Sequence, residues 1–438
     1  MLALRTAFAS VRRKASQIHR MASFVPANRV KEVGPSLWVE FTSLAAECQA
    51  VNLGQGFPDG PMPKFVADIL GDIAAHPEKT AWHQYTRSFG HPRLVNILSK
   101  LYGVLYNRQI NANEEILVTV GAYLSLYYAF MGFLNPGDEV LIIDPAFDSY
   151  APQVAMAGGV PIHCVMPLAE NARSSNDYQL DIRQLRSKVS PKTKMIVLNN
   201  PNNPTGKLFT REELEEIAAV ATEFDLIVVA DEVYEWHVWD KEMIRFATLP
   251  GMYDRTISIG SAGKAFSVTG WKLGWSIAPK HLITPLRMVH QNCAFTCSTP
   301  TQEALAVAFE KELELFSSDP GQSYLLTGLP NELRRKCDQL FNMLSEAGFN
   351  PIRPDAGYFM IAYFGSIEGP FKNSEPCRDN LDFRFVRWLC REKKLATIPV
   401  SAFYSEENKT GNDNTIRLCF MKTDETLNAA HKILKNLK

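Results

Sequence analysis

The 438-residue sequence predicts an α/β protein with a large domain built on a mostly parallel sheet and a smaller α+β domain. Two observations predict this class. Between residues 115 and 259, short apolar segments alternate with helical segments, which is typical of a parallel sheet covered by helices on both faces. After about residue 310, segments of alternating polarity stand between two helical stretches, which favours a second unit of α+β type.

The large domain is predicted from its apolar strands and from the helix signals between them. A helix is predicted over 121–135, where Pro136 stops it. A capping box, Thr210-x-x-Glu213, opens another helix that runs to about Phe224. The predicted strands are 115–120, 139–143, 194–198, 226–230 and 256–259.

The smaller domain is predicted from periodicity near the C-terminus. A helix over Tyr324–Phe349 leads into it, and a helix over 423–438 closes the chain. Residues 366–380 are predicted to form a surface loop. The segments that alternate like strands are GYFMIAYF at 357–364, LATIPVSAF at 395–403 and NTIRLCF at 414–420.

Composition disfavours several classes of function. The formal net charge of −1 gives no global field that would attract nucleic acid or an anionic membrane. The longest apolar stretch, 122–134, is shorter than the ~20 residues that span a bilayer. The eight cysteines form no C-x-x-C pair in a chain too large to need disulfides, which favours reduced thiols in an intracellular compartment.

The first 20 residues are rich in arginine and serine, and no acidic residue precedes Glu32. This composition predicts an amphipathic mitochondrial transit peptide, with a disordered basic tail as the alternative. Because Met21 follows directly, a shorter cytoplasmic product that starts there is also predicted.

Two nucleotide-binding motifs are disfavoured. Gly54-x-Gly56 is followed by a glycine at Gly60, one position too late for the dinucleotide fingerprint, and prolines forbid the helix that the fingerprint requires. GSAGKAF at 260–266 lacks the spacing of a P-loop and the Ser or Thr after its lysine. A nicotinamide dehydrogenase and a P-loop ATPase are therefore poor interpretations.

Polar groups follow the ends of several predicted strands, at the edge where open α/β sheets bind ligands. Lys264 is a candidate amine nucleophile there. Asp231 follows an apolar strand, so we expect its carboxylate to be partly buried and to require a cation, either a side chain or a ring nitrogen of a cofactor. Gly121 opens a helix whose free N–H groups suit a phosphate. A lysine, an aspartate and a phosphate cradle are the parts that a pyridoxal-phosphate site requires.

Motifs in the order of a known family follow one another along the chain. They are N-N-P-N-N-P-T-G at 199–206, D-E-V-Y at 231–234, S-A-G-K-x-F-S-x-x-G-W-K-x-G-W at 261–275 and N-T-I-R at 414–417. Over residues 24–438 the sequence resembles the fold-type I aminotransferases, most of all the branch of kynurenine aminotransferase, glutamine transaminase K and cysteine-S-conjugate β-lyase. The resemblance implies a three-layer large domain and the division 23–61 (arm joining the small domain), 62–312 (large domain) and 313–438 (small domain), which follow the transit segment predicted from composition at 1–22.

The resemblance also implies a site for pyridoxal 5'-phosphate. Lys264 would be bonded to the cofactor and then move the proton, as the catalytic residue, while Asp231 would pair with the ring nitrogen and Phe147 would stack on the ring. The remaining implied cofactor ligands are Asn203 and Tyr234 for the phenolic oxygen, Asn199 in support, and for the phosphate Gly121, Ala122, Ser261, Lys272 and, from a second subunit, Tyr85. No metal site is predicted.

For the substrate, the resemblance implies that Arg417 binds the α-carboxylate. The other implied substrate contacts are Trp38, the Gly56 backbone, Tyr123, Asn203 and Phe295. Two positions depart from the pattern: many relatives have arginine in place of Lys272, and some have histidine in place of Thr296.

The predicted function is that of a homodimeric aminotransferase that moves the amino group of kynurenine, glutamine or other bulky neutral amino acids to a 2-oxo acid. A β-lyase side reaction on cysteine conjugates is also predicted. The alternatives are an alanine- or aspartate-type aminotransferase and a non-catalytic regulator on the same fold.

Overall fold

The structure, a computed structural model, describes residues 26–31, 34, 36–372 and 380–437. The predicted transit segment, the start at Met21 and residues 373–379 of the predicted surface loop lie outside the described residues. Contacts divide the chain into a unit over 1–34, whose described part holds helix α1 (Asn28–Lys31), and a unit over 35–438. The predicted boundaries at 61 and 312 stay a prediction.

Three sheets are formed by the described strands. Their bounds are β1 (Val51–Asn52), β2 (Ile116–Thr119), β3 (Glu139–Asp144), β4 (Val160–Val165), β5 (Thr193–Asn199), β6 (Ile227–Asp231), β7 (Thr256–Ser261), β8 (Gly274–Ile277), β9 (Asn350–Ile352), β10 (Phe359–Tyr363), β11 (Leu395–Ala396), β12 (Ile398–Pro399) and β13 (Thr415–Cys419). A 7-stranded sheet has the order β2-β8-β7-β6-β5-β3-β4, a 4-stranded sheet has the order β12-β13-β10-β9, and β1 pairs with β11.

Helices surround these sheets. In the second unit they are α2 (Leu37–Glu47), α3 (Lys64–Ala75), α4 (Pro92–Leu105), α5 (Ala122–Phe133), α6 (Tyr150–Met156), α7 (Ile182–Ser187), α8 (Arg211–Glu223), α9 (Ala262–Ala265), α10 (Lys280–Cys293), α11 (Thr299–Ser318), α12 (Leu329–Glu346), α13 (Leu381–Lys393) and α14 (Asp424–Lys435). Among the described helices, none combines the length and apolar character needed to cross a membrane.

The seven-stranded sheet is mostly parallel, which confirms the predicted fold class. Strand β8 is antiparallel to both of its neighbours, β2 and β7, so β2 runs in the same direction as β7. The carboxyl ends of β2, β5, β6 and β7 therefore lie at one edge. At that edge Asn199 is opposite Asp231, and Asp231 is opposite Ile259.

Both faces of this sheet are buried. Val229 and Ile257 belong to one apolar core, whereas Val228 and Ala230 belong to a second core on the other face. Successive residues of one strand thus pack against different helical layers, which is why the strands are apolar throughout rather than alternating.

The antiparallel sheet carries Arg417 towards the edge of the large sheet. Strand β13, which contains Arg417, lies between β10 and β12. The backbone N–H of Cys419 donates to the carbonyl of Leu53 at 2.7 Å, and Val51 pairs with Leu395 in a parallel bridge. These contacts place the glycine-rich loop after β1 beside β13.

Several local predictions were incomplete. Strand β4 was not predicted because it lies at the edge of the sheet and is only partly buried, and the four-residue β8 has few β-branched residues. The helix predicted over 324–349 is a π-helical turn at Tyr324–Gly328 followed by α12, which has a proline in its first turn. The strand predicted over 395–403 is two short strands that belong to different sheets.

Candidate active site

A cavity of about 330 Å³ lies at the edge where the parallel strands end. It extends from the ends of β5, β6 and β7 to the start of α5 and to β10 and β13 of the antiparallel sheet. The structure thus brings together residues that are far apart in the sequence. Of the predicted site residues it is lined by Trp38, Gly56, Gly121, Ala122, Tyr123, Phe147, Asn199, Asn203, Asp231, Tyr234, Ser261, Lys264, Lys272 and Arg417.

Lys264 lies in the short helix α9, directly after β7, and its half-buried side chain lines the cavity. Its Nζ donates to the carbonyl oxygen of Gly56 at 3.2 Å and to the hydroxyl of Tyr358. Burial lowers the pKa of this amine to about 8, because the charged form loses hydration. A larger fraction of Lys264 is therefore neutral near pH 7 than for an ordinary lysine, which suits a nucleophile.

Asp231 ends β6 and is buried, with 5% of its surface exposed. Its Oδ2 accepts from the hydroxyl of Tyr150 at 2.6 Å, but its Oδ1 has no hydrogen-bond partner among the described residues. Burial raises the pKa of this carboxyl to about 6. Asn199 holds the neighbouring backbone, since its Nδ2 donates to the Asp231 carbonyl and its Oδ1 accepts from the N–H of Asn203.

A positive end of the cavity is formed by the start of α5 and by Lys272. Gly121 precedes this helix with φ +75°, a conformation that L side chains rarely adopt. A Cβ at Gly274 would lie 2.4 Å from the backbone nitrogen of Ala122, so only glycine lets β8 pack this closely. The Lys272 Nζ lies 3.4 Å from the position that a Cβ on Gly121 would take. Helix N–H groups, the helix dipole and an ammonium together favour an anion here.

Arg417 is completely buried at the other end of the cavity. Its Nη1 donates to the Asn203 side-chain oxygen at 2.8 Å and its Nη2 donates to the Gly54 carbonyl at 2.9 Å. Both acceptors are neutral, and the rings of Phe359 and Trp38 lie 3.9 and 5.1 Å from the guanidinium carbon. Burial lowers the pKa of the guanidinium to about 10, so this end of the cavity calls for an anion.

Aromatic side chains line the cavity between these charged groups. The rings of Tyr123 and Phe147 meet edge to face, with centroids 6.4 Å apart. Trp38, near the start of α2, donates from Nε1 to the Oδ1 of Asp148 at 3.1 Å. Burial raises the pKa of this carboxyl. The cavity therefore has apolar walls between two cationic ends.

Two predicted site residues are not brought to this cavity. Tyr85 and Phe295 pack against each other with ring centroids 5.6 Å apart, and 84% and 54% of their surfaces are exposed. Within one chain they lie apart from the residues that line the cavity.

Three contacting residues were missed by the sequence analysis. Tyr150 bonds to Asp231, Phe359 stacks on Arg417, and Tyr358 contacts Lys264. Tyr150 follows the predicted strand end D-P-A-F-D-S-Y, so its position was a usable signal. Tyr358 and Phe359 lie in a segment that resembles an ordinary strand, and only the pairing of β10 with β13 brings them to the site.

Three groups in the cavity are arranged so that one bound molecule would contact all of them. Lys264 is an amine of lowered pKa, Asp231 has an unpaired carboxylate oxygen, and the start of α5 is an anion site beside Lys272. A group that carries an aldehyde, a protonated ring nitrogen and a phosphate fits all three. Within the described ranges, no cluster of three or more His, Cys, Asp or Glu side chains is arranged to hold a metal ion.

The burial of Asp231 predicts a pH-dependent cost in stability. In the cofactor-free protein, Asp231→Asn is expected to raise the free energy of unfolding by about 2 kcal/mol at pH 7. The folded-state pKa of about 6 exceeds the unfolded value, so the wild-type protein loses stability as pH rises from about 4 to 6. The increase in the free energy of unfolding caused by Asp231→Asn should therefore become smaller towards pH 4. Urea denaturation between pH 4 and 7 measures it.

Asp225→Asn is the matched control, because that side chain is 95% exposed. Its effect on the free energy of unfolding should be small at every pH. A stability gain in Asp231→Asn that is the same at pH 4 and pH 7 contradicts the prediction.

Comparisons with known proteins agree with this geometry. Residues 49–433 match the family described as "Aminotransferase class I and II". Human kynurenine–oxoglutarate transaminase 3 is 47% identical over 419 residues, covering 94% of this chain and 90% of the relative. Human kynurenine–oxoglutarate transaminase 1 is 41% identical over 429 residues, covering 95% and 99%.

A solved structure is similar over nearly the whole chain. Bna3p of Saccharomyces cerevisiae superposes with a TM-score of 0.87 at 30% sequence identity, covering 94% of this chain and 99% of that chain. The fold described above is thus shared with an experimentally solved relative.

Proposed function

Because this chain belongs to the class I and II aminotransferase family, we propose that it transfers the amino group of kynurenine, glutamine and other bulky neutral or aromatic amino acids to a 2-oxo acid. The chain is a transferase of a family that uses pyridoxal phosphate. One observation carries the proposal: a single cavity contains the amine of Lys264, the unpaired oxygen of Asp231 and a buried Arg417 with neutral acceptors.

The cofactor would be held by groups at both ends of its ring. Pyridoxal phosphate, when bound, supplies an electron-withdrawing ring that stabilises negative charge on the substrate Cα. Asp231 Oδ1 would keep the proton on the ring nitrogen, and the start of α5 with Lys272 would bind the phosphate. Asn203 accepts from Arg417 with its oxygen, which leaves its Nδ2 to donate to the phenolic oxygen beside Tyr234.

Proton movement would fall to Lys264. Its Nζ is the basic atom of the cavity whose pKa lies near the working pH, at about 8. A group with such a pKa both accepts and returns a proton readily, which is the condition for general acid–base catalysis. Nζ would take the proton from the substrate Cα, hold it and release it again within the cavity.

The substrate would be oriented by its α-carboxylate on the fork of Arg417. The cations among the cavity-lining residues are Lys264, Lys272 and Arg417, and each already has a partner in this scheme. A second carboxylate on the substrate would meet no further cation from the lining. The aromatic walls of Trp38, Tyr123 and Phe147 favour a bulky neutral side chain instead.

A substrate panel tests this proposal. Purified, cofactor-loaded protein is assayed with kynurenine, phenylalanine, glutamine, alanine and aspartate as amino donors to a 2-oxo acid. Kynurenine and phenylalanine should exceed aspartate in kcat/KM by at least about tenfold. If aspartate or alanine is preferred, the alternative substrate class is correct. Lack of turnover with every donor supports a non-catalytic regulator.

We extend the proposal to a β-lyase side reaction on cysteine conjugates. After Lys264 removes the Cα proton, a thiolate on Cβ could leave in place of the amino transfer. The supporting observation is that the same amine and carboxylate clamp would serve both outcomes. Release of thiol from a cysteine conjugate by the wild-type protein tests it, with Lys264→Ala as the inactive control.

We also propose that the chain is a homodimer in which Tyr85 completes the site of its partner. This exposed tyrosine lies apart from the cavity of its own chain. Lys264→Ala and Tyr85→Ala, each weak or inactive alone, should regain activity when co-expressed, since one intact site forms in each mixed dimer. If Tyr85 acts within its own chain, co-expression restores nothing. Light scattering gives the oligomeric state directly.

We propose, finally, that residues 1–22 direct the chain to mitochondria and that a form starting at Met21 stays in the cytoplasm. The arginine-rich composition of the segment supports this. Exclusively cytosolic, uncleaved protein in fractionated cells would refute the targeting.

A further inference from the structure

The structure links Lys264 to Tyr358, a residue that the proposed function does not use. We propose that Tyr358 is a positioning residue which, together with the carbonyl of Gly56, holds the free amine of Lys264 whenever the lysine is not bonded to the cofactor. The pair is called the amine site below. This inference rests on the proposed function, in which the lysine is bonded to the cofactor for only part of the reaction.

The amine site is a closed set of hydrogen bonds. Tyr358 is completely buried, and its hydroxyl donates to the Gly56 carbonyl at 2.6 Å. The Lys264 Nζ donates to that hydroxyl and to the same carbonyl, the latter at 3.2 Å. The ammonium also lies 5.0 Å from the centre of the Tyr358 ring. The hydroxyl and the carbonyl are thus oriented by each other before they receive the lysine.

The amine site is rigid because backbone contacts hold both of its members. A Cβ on Gly56 would lie 2.6 Å from the ring of Phe359, so glycine is needed for the loop to approach β10. The Tyr358 carbonyl accepts from the N–H of Phe420, and the N–H of Gly357 donates to the carbonyl of His237. Removal of the hydroxyl should therefore change the position of the amine more than the position of the backbone.

The amine site also sets the direction of the lysine lone pair. A neutral amine has two N–H donors and one lone pair. The Tyr358 hydroxyl and the Gly56 carbonyl match the two donors, so the lone pair is left to face the cavity. The hydrogen bonds of the Lys264 Nζ go to the Gly56 carbonyl and the Tyr358 hydroxyl, whereas the Asp231 Oδ2 is bonded to Tyr150. Because Lys264 lines the cavity, this arrangement would leave its basic lone pair available there.

Other groups around the amine influence its charge. Arg417 and Lys272 disfavour the ammonium, whereas the nearby carboxylate of Asp231 favours it. Cys419 stays a neutral thiol, because burial raises its pKa. The ring of Tyr234 lies 5.4 Å from Nζ. His237 packs on Tyr358 and is held neutral, since burial lowers its pKa to about 3. Tyr358→Phe changes none of these groups.

The test compares Tyr358→Phe with Tyr178→Phe, which removes an equally buried hydroxyl elsewhere in the chain. In full-length cofactor-free protein, Lys264 is labelled with acetic anhydride across a pH series and the labelled peptide is quantified. Loss of a hydrogen bond that stabilises the ammonium should raise labelling at pH 7 by about threefold to tenfold and move the midpoint to lower pH. Tyr178→Phe should match the wild type.

A second readout uses the cofactor-loaded enzyme with α-deuterated phenylalanine. Misplacement of the base should lower kcat by about 10- to 100-fold and leave KM within about twofold. The deuterium effect on kcat should increase, because proton transfer becomes slower than the other steps. A merely structural role would lower thermal stability without moving the labelling midpoint or the isotope effect.

The inference is overturned if Tyr358→Phe shows the wild-type labelling midpoint and isotope effect in an otherwise active enzyme. Failure of the proposed function gives a different result: the wild-type protein itself would show no turnover with any donor, whatever the labelling of Lys264. The two failures are therefore distinguishable.

Discussion

Replacement of Lys264 by alanine is expected to lower kcat by at least about 10⁴-fold and to abolish the absorbance of the lysine-bound cofactor. The reason is that one amine supplies both the covalent attachment and the base. The other lysine that lines the cavity, Lys272, precedes β8, and its Nζ lies beside Gly121 at the start of α5. Steady-state assays and spectra of the desalted, cofactor-treated protein provide the measurement.

The control for this variant is Lys64→Ala, since Lys64 is an exposed lysine paired with Asp68 on the helix surface. It should keep both the absorbance and the wild-type kcat. Retention of absorbance and turnover by Lys264→Ala would refute the central assignment.

Replacement of Arg417 by methionine is expected to lower kcat/KM for amino acids by about 10³-fold. The guanidinium is fully buried between aromatic rings, and its two acceptors are neutral, so the α-carboxylate would be its counter-charge. Arg417→Lys should keep part of the charge interaction but lose the two-pronged geometry. Its kcat/KM should therefore lie between that of the wild type and that of Arg417→Met. Steady-state kinetics with phenylalanine measure the series.

A carboxylate-free amine separates binding of the carboxylate from general damage. For the wild type, phenylalanine should be strongly preferred to phenylethylamine, and this preference should fall by the same large factor in Arg417→Met. Arg353→Met, at a half-exposed arginine paired with Asp338, is the control. An unchanged preference in Arg417→Met contradicts the assignment of the carboxylate site.

The sequence was sufficient to predict most of the large sheet because its inner strands are apolar throughout and separated by clear helix signals. Asn199, Asp231 and Lys264 each follow such a strand, so their meeting at one edge could be predicted from the parallel order alone. Gly121 lies at the same edge because it follows β2, which runs in the same direction as β7. These positions depend on local pattern and on the rule that parallel strands end together.

Contacts between the two sheets could not be predicted in the same way. The stacking of Phe359 on Arg417 and the bonds from Tyr358 to Gly56 and Lys264 depend on how β10 and β13 dock beside the large sheet. Such long-range packing leaves no periodic signal in the sequence. Strand β8 was missed for a related reason. Its Gly274 is required by close packing against α5, where a Cβ would lie 2.4 Å from the backbone nitrogen of Ala122, and glycine has low strand propensity.

Chemical trapping identifies the lysine that is covalently bonded to the cofactor. The cofactor-loaded wild-type protein is reduced with borohydride, digested, and searched by mass spectrometry for the lysine that carries the reduced cofactor. We expect one stoichiometric adduct, on Lys264. An adduct on Lys272 or another lysine, or no adduct in protein that has bound the cofactor, would contradict it.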